Sequence, residues 1–284
     1  MSWWKQLLLQ LVLVVVVSLV GSELVAAMGW NPGLTLVAGL VVAWLALTAY
    51  RWVVRRTERR EVSELARADA RRGLGRGTLL GLAMFVVVIV LIAIFASYRV
   101  DGFGSASGPV ALLGFMAAGA VTEELMFRGV LLRFIERGAG TWVALATTSL
   151  AFGLMHIMNP NATVWSALAI AIEAGGMLGA AYVATRSLWV PIGMHFAWNF
   201  AGSAIFGTTI SGKDAPAGLL ESTTTGPHAL GGGAFGPEGS VFTVLVGAGI
   251  MVAFLTYAAR HGRIVPLRRA KRSLPVVAAD TVAP

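Results

Sequence analysis

The chain is made of long apolar blocks in which charge is scarce. Of its 284 residues, 57% are hydrophobic and 13% charged. A soluble domain carries about 25% charged residues. The apolar excess falls in runs long enough to cross a bilayer, which takes about 20 residues as a helix. Candidate spans run from about Leu7 to Met28, Leu34 to Val54, Thr78 to Tyr98, Pro109 to Ile135, Trp142 to Met158, Asn161 to Thr185, Trp189 to Phe206 and Ser240 to Ala259. The expected fold is therefore all-α, a polytopic transmembrane helix bundle of about eight spans. The first span has the basic start and small-residue end of a signal peptide, but Trp3 and Trp4 suit an interfacial anchor, so a retained helix is expected. Asn31-Pro32-Gly33 should form the turn before the second span, and Asn161 should cap the sixth.

Charge fills the gaps between blocks. Arg55 to Arg76 holds eight arginines interleaved with Glu58, Glu61, Glu64 and Asp69. It reads as a solvated helix along anionic headgroups, with Glu61 near Arg56 and Arg60. Alternate threading puts this segment on one side with Lys5, Arg133, Arg137, Arg186 and the tail containing Arg260, Arg263, Arg268, Arg269, Lys271 and Arg272. The positive-inside rule makes that side cytoplasmic, with both termini inside a cell (inner) membrane. The net charge of +8 then reflects topology and lipid contact, not nucleic acid. Two units are expected: 1–77, a helical hairpin plus basic segment, and 78–284, a membrane core with a basic tail. The chain has no cysteine. Disulfides, thiolate zinc sites and cysteine nucleophiles are excluded.

Against this background, buried ionisable residues stand out, because each costs several kcal/mol in hydrocarbon unless it has a partner or a task. Glu123 and Glu124 lie in the fourth span, His156 in the fifth, and His195 with Asn199 in the seventh. Glu124 and Arg128 are spaced i,i+4 with the acid first, the better order for an ion pair. Glu123 is rotated about 100° from Glu124 and is free to serve as a general base. His195 and Asn199 share a helical face and could both donate to a developing oxyanion. Glu173 in the sixth span is a deep acid expected to be structural, paired with a histidine or Arg128. His228 and His261 read as surface residues. No Gly-x-Ser-x-Gly elbow accompanies Ser149. By helix rise, His156 lies about 20 Å from the cytoplasmic end of its span and His195 within about 10 Å of its own, so a shared site needs tilted, offset or re-entrant helices.

Glu123-Glu124-x-x-x-Arg128, Phe152-x-x-x-His156 and His195-x-x-x-Asn199 resemble the three motifs of the CPBP intramembrane proteases, the CAAX-protease and bacteriocin-processing (Abi) group. The resemblance covers about Pro109 to Phe206, in family order. It implies an intramembrane endopeptidase acting on a membrane-associated, prenyl-type or leader peptide. Carried over by position, Glu123 and His156 activate water, His195 and Asn199 form the oxyanion hole, and Glu124 and Arg128 support the site. The residues leave the metal open. Glu123, His156 and His195 could bind Zn with an open water position, or position water unaided, which Asn199 beside His195 favours slightly. A proton-coupled transporter is the main alternative, since membrane Glu and His also make proton relays. It would want inverted repeats, which the chain lacks. A catalytically inactive membrane scaffold is the third reading.

Overall fold

The computed structural model describes residues 1–267. Arg268, Arg269, Lys271 and Arg272 of the basic tail lie outside the described residues. In hydrocarbon every backbone N–H and C=O must be paired internally, which favours continuous helices. The chain meets this with α1 (Trp3–Ala26), α2 (Pro32–Glu58), α3 (Arg67–Phe95), α4 (Gly108–Glu124), α5 (Arg133–Met155), α6 (Val164–Ile170), α7 (Met177–Thr185), α8 (Trp189–Phe200), the short α9 (His228–Gly231) and α10 (Val241–Arg260). Valines, leucines and tryptophans such as Val16, Val37, Trp44, Val90 and Leu245 are exposed along the outer helices, as a lipid-facing surface requires.

Six described helices are long and apolar enough to span a membrane, and the all-α polytopic bundle expected from the sequence fits. One of them, Gly108–Met158, contains two of the expected spans. It doubles back at Gly140, whose φ of 79° and ψ of 170° interrupt the helix. The return leg brings Phe152 against Phe127, centroids 4.9 Å apart. A Cβ at residue 140 would also lie 2.9 Å from the backbone of Val265 and Leu267. The other difference is α8, which is only 12 residues long before it continues as a π-helical turn, Ala201–Ile205.

Three further expectations need correction. Arg55–Arg76 is not one solvated helix. Arg59 adopts a left-handed conformation (φ 54°) that ends α2, and α3 starts only at Arg67. Between them Glu64 is buried, and Arg60 pairs with Glu58 and Glu64 instead of Glu61. Asn161 does not cap α6; its own φ is 57°. Thr163 caps it, in a reciprocal capping box with Ser166. The third span ends at Phe95, and Ser97–Phe103 becomes a strand, β1. It pairs antiparallel with β2 (Leu220–Thr225), from Ser97 opposite Thr225 to Phe103 opposite Leu220. Asn31 does cap α2, accepting from the Leu34 N–H.

The basic segments gather at one end of the bundle. Arg133 donates to Glu58 and to Gln10 of α1, and Arg137 also reaches Glu58. Gln6 donates to the Thr57 carbonyl. The Tyr50 hydroxyl donates to Glu64 Oε1, 2.7 Å away. Arg186 bridges Glu136 and the Arg263 carbonyl. The β1–β2 ribbon, which follows α3, occupies the opposite end.

One interface sets the position of the later helices. Gly73, Gly77 and Gly81 line the face of α3 that meets α8. A Cβ on Gly77 would lie 2.2 Å from the Val190 carbonyl oxygen, and one on Gly81 would lie 2.4 Å from that of Met194. Membrane helices associate through such small-residue faces because the lipid supplies no hydrophobic drive. Beyond the glycines, Met84, Phe85 and Val88 of α3 pack with Met177, Leu178, Met194 and Trp198 in one core. His195 and Asn199 are thereby held on a rigid pair of helices.

Candidate active site

Glu123 and Glu124 end α4, where the chain passes into a π-helical stretch, Leu125–Leu132. Glu124 is fully buried. Its Oε1 accepts from Arg128 Nη1 at 2.6 Å and from His195 Nδ1 at 3.0 Å. The other arm of Arg128 donates to the carbonyls of Ala174 (2.8 Å) and Gly175 (3.0 Å) in a second π-helical turn, Ala171–Gly176. Arg128 thus ties α4, α8 and the α6–α7 segment together. Its guanidinium also lies 4.9 Å from the centroid of the Phe152 ring.

Glu123 points elsewhere. Its side chain is 24% exposed and its Oε2 has no hydrogen-bond partner. That oxygen lies 3.9 Å from His195 Nε2, beyond hydrogen-bond reach. His156 follows α5 directly, and its Nδ1–H donates to the Phe152 carbonyl at 2.8 Å. This fixes the tautomer and leaves Nε2 with a lone pair. Phe152 stands between the two imidazoles, 4.8 Å from His156 and 6.1 Å edge-on from His195. With Nδ1–H committed to Glu124, His195 presents Nε2 to the interior.

All four sequence-predicted residues, Glu123, His156, His195 and Asn199, line one cavity of about 130 Å³. The difference in helical depth does not separate them. Much of the remaining wall is apolar, with Met84, Phe115, Met116, Ile170, Met177 and Met194 among its members. A small chamber with several polar residues in its lining can hold ordered water.

The zinc set offered by the sequence does not fit. Among the described residues no three His, Asp or Glu side chains are grouped so as to hold a metal ion. Metalloprotease chemistry is therefore not supported by this arrangement. Glu173 also departs from expectation. It is buried and lines the cavity, yet Arg128 bonds the neighbouring carbonyls instead.

Several elements were not foreseen. Three π-helical turns adjoin Glu124, Glu173 and Asn199. Such turns concentrate at functional sites, and no sequence signal announces them. The Thr208–Gly239 segment, which shows no periodicity, folds over the cavity. Ile210, Ser211, Lys213, Asp214 and Glu238 contribute to its wall. Glu238 anchors this cap by accepting from Trp198 Nε1 at 3.1 Å and from Ser211 Oγ at 2.9 Å. Within a Gly-Pro-Glu-Gly loop it reads as a surface acid.

Residues 105–201 match the family model described as type II CAAX prenyl endopeptidase Rce1-like. The matched stretch contains every motif residue named above and is consistent with a CPBP-family protease. It supports intramembrane endopeptidase activity for a multi-pass membrane protein. Comparison with curated proteins and with solved structures gives no match.

Proposed function

We propose that this chain, with its Rce1-like segment, is an endopeptidase that hydrolyses a peptide bond of a membrane-associated substrate by direct attack of water. The observation that carries the reading is the convergence of Glu123, His156, His195 and Asn199 on one cavity. Glu123 lines that cavity with a partly exposed side chain and takes the proton from water. His156 assists by accepting a hydrogen bond at Nε2. His195 and the Asn199 amide donate to the carbonyl oxygen as it gains charge, which stabilises the transition state more than the ground state. With Nδ1–H already given to Glu124, the ring donates from Nε2 as an imidazolium. The proton held by Glu123 then passes to the leaving amine.

Glu124 and Arg128 position these groups and do not touch the reacting atoms. The substrate class proposed is a prenylated or leader-type peptide presented from the bilayer. The basic end of the bundle is assigned to the cytoplasm of a cell membrane by the positive-inside rule. The test is peptide cleavage by the purified protein in detergent. Glu123→Gln should abolish cleavage without lowering the melting temperature; unchanged turnover would remove Glu123 from the mechanism.

A further inference from the structure

One acid in the cavity has no task in the reaction above. Glu173 is 1% exposed, and its Oε1 has no hydrogen-bond partner. Its backbone is pinned: a Cβ added to Gly247 of α10 would lie 2.7 Å from Glu173 Cα. The side chain lines the cavity with Glu123 and His195. Arg128, the cation expected for it from the sequence, is engaged by Glu124 and two backbone carbonyls. Glu238, on the same wall, accepts hydrogen bonds from Trp198 and Ser211 but has no cation beside it in those contacts. Among the described residues lining the cavity, four are acids (Glu123, Glu173, Glu238 and Asp214) and one, Lys213, is a lysine or arginine. A buried carboxylate without a partner is expensive. A chamber whose acids outnumber its lysines and arginines, one of those acids orphaned, is complementary to a cation brought by the ligand.

We infer that Glu173 is the cation-accepting wall of the substrate pocket, and that the substrate carries an ammonium or guanidinium group beside the bond to be cleaved. This rests on the peptidase reading for the words substrate and cleaved, but not for the cation site itself. The cation is either a Lys or Arg side chain, as the substrate of an endopeptidase would carry, or a free N-terminal amine, which would make the cleavage that of an aminopeptidase. It enters while the carbonyl is held by His195 and Asn199, and it forms a charge-assisted hydrogen bond with Glu173.

Two measurements on the full chain in detergent test this. The first needs no catalysis. Millimolar n-butylammonium should raise the melting temperature, n-butanol should not, and the rise should vanish in Glu173→Gln. Equal effects of amine and alcohol, or a rise that persists in the variant, would overturn the cation site. The second uses peptides that differ only in Lys or norleucine next to the cleaved bond, each with a free or acetylated N-terminus. The wild type should prefer one cationic form by about thirtyfold or more in kcat/KM, the scale of losing one partner of a buried charge pair. The Glu173→Gln ratio should fall to near one. A preference for Lys names the side chain as the source, and sensitivity to acetylation names the terminus. Indifference to both in the wild type would sink the proposal. Failure of every peptide to be cleaved, with butylammonium still stabilising, would count against the peptidase reading alone. Should Glu173→Gln not accumulate, the amine–alcohol comparison on the wild type decides.

Discussion

Substituting Gly81 by Ala should disable the site without touching a motif residue. Its added Cβ would lie 2.4 Å from the Met194 carbonyl oxygen and 3.0 Å from two further backbone atoms, where ordinary contact begins at 3.4 Å. Backbone cannot swing aside like a side chain, so α3 and α8 must part by about 1 Å at a level one residue from His195. A misplacement of that size costs about 100-fold in rate, because the oxyanion donors no longer meet the reacting carbonyl. Overpacking costs only about 1–3 kcal/mol of stability, partly offset by the better helix propensity of Ala. The assay is kcat for peptide cleavage, measured beside a thermal melt. Gly75→Ala is the control, since a Cβ there meets nothing within 4 Å on the same helix. If Gly81→Ala cleaves as fast as Gly75→Ala, the glycine contact does not position the site and the reasoning fails.

Other outcomes follow from the same geometry. Arg128→Met leaves Glu124 with His195 as its remaining donor and takes the Arg128 donor from the Ala174 and Gly175 carbonyls, and should destabilise the fold by about 3–5 kcal/mol, read as a lowered melting temperature. Chelators should leave turnover intact, because Glu123, His156 and His195 are not grouped as metal ligands; loss of activity restored by zinc would reverse that reading. Burial pushes the Glu64 carboxyl up, but hydrogen bonds from Arg60 and the charges of Arg133 and Arg60 outweigh it and hold the group below 4.5. A lowered folded pKa means that its stabilisation is present above 4.5 and is lost as pH falls through the folded value. Melting temperature against pH should therefore show an acid limb that Glu64→Gln flattens. The chain lacks cysteine, so single cysteines at Arg72 and Asp101 can report sidedness: an impermeant thiol reagent added outside intact cells should label only the second.

The apolar blocks were legible because crossing a bilayer leaves no alternative to long uncharged runs. The motif residues were legible because an ionised group among them is costly. Their i,i+4 spacing needs only helix geometry, and Glu124 and Arg128 meet as that spacing dictates. What escaped the sequence depends on contacts far along the chain. Gly140 reverses the helix because Val265 and Leu267 occupy the space beside it, and no local pattern records that. Ser97–Phe103 becomes a strand only through Leu220–Thr225, about 120 residues later. The Arg55–Arg76 stretch reads as solvated by composition, yet Glu64 is drawn inside by Arg60 and Tyr50. Glu238 carries no mark that separates it from a surface acid until the cap folds over Trp198.

Asn199 and His156 offer the sharpest test that these side chains act on one reacting carbonyl. Cleavage rates would be compared for Asn199→Ala, His156→Ala, the double variant and Glu123→Gln. Loss of one oxyanion donor should cost about 10²–10³ in kcat. Groups that work as a unit give losses that do not multiply, so the double variant should fall well short of the product of the two single losses. Full multiplication of the two losses, with Glu123→Gln still active, would contradict a common site.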